Sequence, residues 1–252
     1  MLGTEMARGL LSAGAKVVIL GTDEKKIKLK LKELGHSGKN VMGLICNVLS
    51  EENIRTVNKQ VLDKYGRMDI LINAAGGHVP GTVIGESQSI FDMRIEDFRK
   101  TVDLNLNGTI LPTLIFGKTM ASQKSGSIIN ISSMASQRII TRVAGYSAAK
   151  AAVENFTKWM AVEMARKFGD GIRVNAIAPG FFLTEQNRKI LTTDKGAFTK
   201  RAKTIINITP FKRFGVPDEL VGTVLWLSSD ASKFVTGTII PIDGGFSAFS
   251  GV

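Results

Sequence analysis

A single cysteine, Cys46, is all that the 252-residue chain carries. An internal disulfide is excluded, and a reducing compartment, the cytoplasm, is the expected setting. No apolar run approaches the roughly 20 residues of a membrane-spanning helix, and Glu5 and Arg8 interrupt the start in a way a secretory signal does not. Internal repeats, low-complexity tracts and domain linkers are also missing, so residues 1–252 read as one domain. Acidic residues are in deficit: 22 Asp and Glu face 33 Lys and Arg, for a formal charge of +11. Such a charge raises the question of a nucleic acid. However, the densest basic run, Lys25 to Lys32, has no aromatic side chains interleaved with it and reads as a solvated helix face. Neither nucleic acid nor membrane is expected as a partner, and no metal site is assigned. An anionic cofactor or an acidic substrate would still benefit from the field.

What is present is an alternation of short β-type runs and amphipathic helical patterns. Residues 3–13 read as helix, 17–20 as strand, and the lysine-rich stretch that follows as helix, although Ile27, Leu29 and Leu31 alternate as a strand would. A strand over 41–46 leads to a helix capped by Ser50, with Ile54, Val57, Val61 and Tyr65 on one face and Gly66 at its end. A strand over 69–73 runs into Asn73-Ala74-Ala75-Gly76-Gly77, a loop with almost no side-chain bulk. Residues 95–122 are expected as one helix kinked at Pro112. Later come strands at 128–131, 172–177 and 238–242, a long helix after Tyr146, and a short one at 220–228. The fold implied is α/β, a Rossmann-type doubly wound parallel sheet with ligands beyond the carboxyl ends of its strands. Residues 181–215, with mixed periodicity and many Lys, Arg and Thr, are expected to form a substrate lid.

Residues 126–150 bring chemistry-bearing groups together. An apolar run ends in Ser132 and Ser133, and Tyr146 and Lys150 follow four apart on one helix face. A phenol titrating near ~10 transfers protons too slowly at neutral pH. A neighbouring ammonium is expected to lower its pKa, so that Ser133 could hydrogen-bond a carbonyl while Tyr146 protonates it.

Y-x-x-x-K alone occurs in many helices. Here it is accompanied, in order, by Asn73-Ala74-Ala75-Gly76, Asn105 in Asn-Leu-Asn-Gly, Ser133, Pro179-Gly180 with Thr184, the Phe214-Gly-Val-Pro-Asp-Glu-Leu segment, and the stretch from Val235-Thr-Gly to Asp243-Gly-Gly. The chain thereby resembles the short-chain dehydrogenase/reductase family over essentially its whole length. The resemblance implies hydride exchange between NAD or NADP and a carbonyl or secondary alcohol. Tyr146 would be the general acid/base, Ser133 would fix the carbonyl, Lys150 would bind the nicotinamide ribose, and Asn105 would hold a relay water. It also implies cofactor contacts from Gly3, Gly21, Thr22, Asn47, Val48, Asn73, Ala74, Ala75, Gly76, Tyr146, Lys150, Pro179, Gly180, Phe182 and Thr184. A homotetramer or homodimer, with the helices around Asn105 and after Tyr146 in the interface, is implied as well. His78-Val79-Pro80, residues 181–188 and residues 245–252 resemble the mannonate oxidoreductase (fructuronate reductase) branch, whose substrate is a sugar acid. His78, Arg138, Arg142 and Arg188 are candidates for its carboxylate. A general ketone or 3-oxoacyl reductase, and a catalytically silent protein of the same fold, are the alternatives.

The chain departs from the family pattern in three places. Its start matches only the tail of the glycine-rich turn, with Gly3 resembling the last glycine, so the first, central strand and most of that turn are expected to be missing and the natural protein to begin upstream. Asn47 stands where an aspartate is frequent. Gly21 and Thr22 replace the acidic residue of NAD users and the arginine of NADP users, which leaves the choice of cofactor open.

Overall fold

The computed structural model describes residues 2–35, 40–79 and 81–251, so Pro80 of the His78-Val79-Pro80 motif lies outside the described residues. The first half runs α1 (Leu2–Ser12), β1 (Val17–Gly21), α2 (Glu24–Glu33), β2 (Val41–Ile45), α3 (Glu51–Tyr65), β3 (Ile70–Asn73), α4 (Ile95–Val102) and α5 (Gly108–Gln123). The second runs β4 (Gly126–Ile131), α6 (Ala144–Phe168), β5 (Ile172–Pro179), α7 (Glu185–Leu191), α8 (Lys200–Ile208), α9 (Val221–Ser228) and β6 (Ile239–Ile242).

The lysine-rich run folds as helix. Asp23 caps α2 by accepting from the Lys26 amide at 3.1 Å. Lys28 pairs with Glu24 at 2.7 Å and Lys30 with Glu33 at 2.8 Å. Three- and four-residue spacings meet only on a helix, and of the side chains that alternate, only Ile27 is buried. Ser50 caps α3 by accepting from the Asn53 amide, and Gly66 ends it in the left-handed region at φ 76°, which glycine adopts without steric penalty.

All strand pairs are parallel. β1 pairs with β2, and β3, β4, β5 and β6 follow in that order in a second sheet. Among the described residues no strand joins the two sheets, so β1 and β3 each keep one unpaired edge. Parallel strands alternating with helices are the α/β, Rossmann-type arrangement expected. Every residue of β5 is buried, and β4 is buried from Gly126 to Asn130, because helices cover both faces. Ile128 and Val174 face the side covered by Ile54, Val57, Phe116, Met120, Met160 and Met164. Ile129 and Ile177 face the side covered by Met6, Leu10, Leu220, Val224 and Leu227.

The helix expected over 95–122 is two helices. The break is a π turn at Asp103–Asn107, ahead of Pro112, which lies inside α5. Residues 181–215 contain α7 and α8, packed on a small core of Leu191, Ala202, Ile205 and Phe214. With only 7 and 9 residues, these helices are too short to show a clear period in the sequence.

Candidate active site

β4 delivers Ser132 and Ser133 to the carboxyl edge of the sheet, and α6 packs across β5 and the short 3₁₀ turn Met134–Ser136. Gly145 lets the start of α6 approach α4, since a Cβ there would sit 3.1 Å from the Phe98 ring. The next residue, Tyr146, is thereby set against the strand end. The Ser133 hydroxyl lies near enough to its phenol to act on its pKa, and itself accepts from the Ala135 amide at 3.2 Å. Lys150, one turn further on, is 3% exposed, donates to the Ile131 carbonyl at 2.7 Å and lies 5.7 Å from the centre of the Tyr146 ring.

The expected lowering of the Tyr146 pKa does not occur. Burial pushes it above the ordinary value, and the Ser133 hydrogen bond only partly offsets that. The same burial brings Lys150 down to about 8. Removal from water disfavours both charged forms, so a protonated phenol beside a readily discharged amine is preferred to a phenolate–ammonium pair.

Asn105 sits in the π turn with no exposed surface. Its carboxamide accepts from the Gly77 amide at 2.9 Å and donates to the Gly77 and Thr101 carbonyls at 2.8 and 2.9 Å. Gly76, at φ 146°, has no room for a side chain: a Cβ would lie 2.6 Å from Asn105 Oδ1 and 3.3 Å from Lys150 Nζ. The small-residue loop therefore lies directly on Asn105 and Lys150. Asn73 turns inward, donating to Thr113 Oγ1 and Asn130 Oδ1, both at 2.8 Å, and locks β3 to α5 and β4.

The remaining cofactor candidates gather at strand ends. Gly21 ends β1, and its carbonyl accepts from the Cys46 amide at 2.8 Å. Thr22 and Asn47 are exposed beside it, and half-buried Val48 packs towards Gly108. Asn47 Oδ1 accepts from the Leu49 amide at 3.0 Å. Ala74 and Ala75 leave the loop without bulk, and Gly3 lies in the first turn of α1. Gly180 brings the end of β5 against Asp243, where a Cβ would meet another Cβ at 2.6 Å. Phe182 is buried against Gly215, and Thr184 caps α7. Strand-end glycines, a helix N-terminus and a bare loop are what a dinucleotide requires of its site.

The four substrate candidates separate. The His78 ring packs on Tyr146 at 4.9 Å and 52°, with its pKa lowered by burial and by the charge of Arg201. Arg142 lies on the same side, donating to the Ile84 carbonyl at 2.6 Å and pairing with Glu86 at 3.5 Å. Arg138 instead donates to the Ser247 carbonyl at 2.8 Å and holds the carboxyl-terminal segment. Arg188 is exposed on α7, with no contact to the trio described. Two participants were not foreseen. Arg201, on α8, donates to Thr141 Oγ1 at 3.2 Å and the Thr141 carbonyl at 3.4 Å. Glu154, one turn beyond Lys150, accepts from Ser132 Oγ at 2.9 Å, from Gln137 Nε2 at 3.3 Å and from Ser136 Oγ. Its i+4 spacing from Lys150 is the sequence signal that could have found it.

A family model described as enoyl-(acyl carrier protein) reductase matches residues 2–247. UxuB of Bacillus subtilis (strain 168), an uncharacterized oxidoreductase, is 43% identical over 261 residues, covering 100% of this chain and 93% of that protein. A 3-oxoacyl-(acyl-carrier-protein) reductase of a Synechocystis species is 34% identical, with 98% and 93% covered. A crystal structure from Haemophilus influenzae with bound NAD, provisionally described as a D-mannonate oxidoreductase, matches with a TM-score of 0.91 at 38% identity, covering 100% of this chain and 93% of that one.

Proposed function

The chain belongs to the short-chain dehydrogenase/reductase family of oxidoreductases, and on that premise we propose that it interconverts the carbonyl and secondary alcohol of a sugar acid of the D-fructuronate/D-mannonate type, using NAD or NADP. The observation that carries the reading is the meeting of Ser133, Tyr146 and Lys150 at the end of β4. When bound, NAD or NADP would supply or accept the hydride. Lys150 and the Asn73–Gly77 loop would hold its ribose side, Pro179 and Gly180 its amide side, and Gly3, Gly21, Thr22, Asn47 and Val48 the rest.

In the reducing direction Ser133 donates a hydrogen bond to the substrate carbonyl and Tyr146 gives its phenolic proton to the same oxygen. Burial keeps that proton on Tyr146 at neutral pH, which suits a general acid. Lys150, with its pKa brought to about 8, restores the proton. Asn105 fixes the loop over Lys150, and its π turn frees backbone carbonyls that could hold a relay water. Oxidation of the alcohol runs the same steps backwards.

The acid preference rests on the basic group beside Tyr146 and on the resemblance to the mannonate branch. A 3-oxoacyl reductase is the second reading, favoured by the Synechocystis relative. Initial rates on keto acids of sugars, neutral ketones and acyl thioesters, each with NADH and NADPH, separate the two. Turnover confined to neutral ketones or thioesters rejects the sugar-acid assignment. Exposed apolar side chains on α5 and α6, Leu114, Trp159 and Val162, support a homotetramer or homodimer built through those helices. Cys46 is buried and free, which suits the cytoplasm. Among the described residues no helix is long and apolar enough to cross a membrane.

A further inference from the structure

Three chain segments that share no local sequence signal converge beside the catalytic tyrosine. The first is the loop after β3, carrying Ile84 and Glu86. The second is the loop before α6, carrying Thr141 and Arg142. The third is α8, which carries Arg201. Arg142 holds the first two together. Its Nε donates to the Ile84 carbonyl at 2.6 Å, and its own carbonyl accepts from the Ile84 amide at 3.0 Å. It does so at φ 79°, in the left-handed region where a non-glycine residue is strained by about 1 kcal/mol or more. Arg201 holds the third segment to the second through Thr141.

The charges do not balance. Burial lowers the pKa of Arg201, and the charge of Arg142 lowers it further, with Glu86 partly offsetting both. The carboxylate that faces both, Glu86, is 91% exposed in its side chain and 3.5 Å from Arg142. The His78 ring packs on Tyr146 and is kept neutral by burial and by the charge of Arg201. The arrangement is thus a half-buried dication with one weakly held anion.

We propose that Arg142 and Arg201 form a two-guanidinium clamp for the carboxylate of the substrate, with Glu86 as the internal anion that the substrate displaces and His78 as a neutral spacer setting the distance from carboxylate to reacting carbon. This rests on the sugar-acid reading and adds to it the residues that read the acid. Guanidinium is suited to the task because its donors form a planar fork that matches a carboxylate, and its charge is not lost on partial burial. The end of the substrate that does not react would be anchored there, while Ser133 and Tyr146 address the carbonyl.

The test compares D-fructuronate with its neutral counterpart D-fructose, in which a hydroxymethyl group replaces the carboxylate. Arg142→Met and Arg201→Met are each expected to lower kcat/KM on the acid by about 10- to 100-fold, the size of a lost charge-assisted hydrogen bond, with the loss in KM. Activity on the neutral sugar should fall less, so that the acid-to-neutral ratio of kcat/KM drops. Arg201→Lys, which keeps the charge without the fork, should fall between, and covers the case in which a methionine variant fails to fold. Glu86→Gln should lower KM for the acid several-fold. Equal losses on acid and neutral substrate, or no loss, overturn the clamp and leave the sugar-acid reading standing; so does a KM that Glu86→Gln fails to lower. Wild-type preference for the neutral sugar removes the sugar-acid reading itself.

Discussion

Tyr146, Lys150 and Ser133 differ in how far their chemistry follows from order and spacing. Their proximity was legible, because four residues on a helix and a strand end beside it leave little freedom. The direction of the Tyr146 shift was not, since it depends on how much water the packed structure leaves around phenol and amine. Tyr146→Phe is expected to cut turnover by about 10²- to 10⁴-fold while cofactor affinity, read by titration calorimetry, stays near wild type. Lys150 is lowered from 10.5 to about 8, so rising pH removes its proton through about 8. Carbonyl reduction, which consumes that proton, should therefore decline above about pH 8, while alcohol oxidation should rise. Profiles of kcat in both directions, flat between pH 7 and 9, would contradict this. The same shift bears on stability. Between pH about 8 and 10.5 the unfolded chain binds more protons than the folded one, so stability rises with pH there, and below about 8 the full penalty applies. Lys150→Met should stabilise the fold at pH 7 by about 1–3 kcal/mol and abolish turnover. Denaturant titrations at pH 7 and pH 10.5 check it, with the gain fading at the higher pH.

At the scale of the element, the π turn and the 3₁₀ turn were invisible in the sequence because neither has a period. A continuous helical pattern from 95 to 122 fits α4 and α5 equally well whether or not five residues between them are underwound. What decides is tertiary: Asn105 satisfies both backbone groups of Gly77. The 3₁₀ turn carrying Ser133 is held by Glu154 through Ser132, Ser136 and Gln137. Glu154→Leu is expected to lower kcat about 10-fold or more by loosening Ser133, with cofactor affinity and far-UV dichroism unchanged. Glu154→Gln, still a hydrogen-bond acceptor, should recover most of the loss. Equal damage from both variants would point to the charge and not to positioning. The basic clamp escaped sequence reading for a similar reason, since Arg201 lies 55 positions beyond Tyr146 on a helix too short to announce itself.

For the molecule as a whole, parallel pairing was readable from the alternation of strands and helices, and the continuous burial of β4 and β5 follows from helices on both faces. Surface apolarity is less readable, because exposure is a property of the packed chain. Trp159 and Val162 on α6 are 58% and 57% exposed beside a concavity of about 660 Å³ that also involves Lys158 and Arg166 and contains none of the catalytic trio. If a second subunit covers this face, Trp159→Glu should shift the mass measured by light scattering towards the monomer at micromolar concentration. An unchanged mass would place the interface elsewhere.

Among the described residues the two sheets meet through side chains and helices but share no ladder. Backbone amides in β1 and β2 can therefore lose their pairing without breaking any hydrogen bond of β3 to β6. In native-state deuterium exchange the chain should consequently report at least two opening events. One, at low free energy, releases the protons of β1 and β2. The other, near the global unfolding energy, releases those of β4 and β5. Ser133 is thus anchored in the slowest-exchanging part of the molecule, and Gly21 in a faster one.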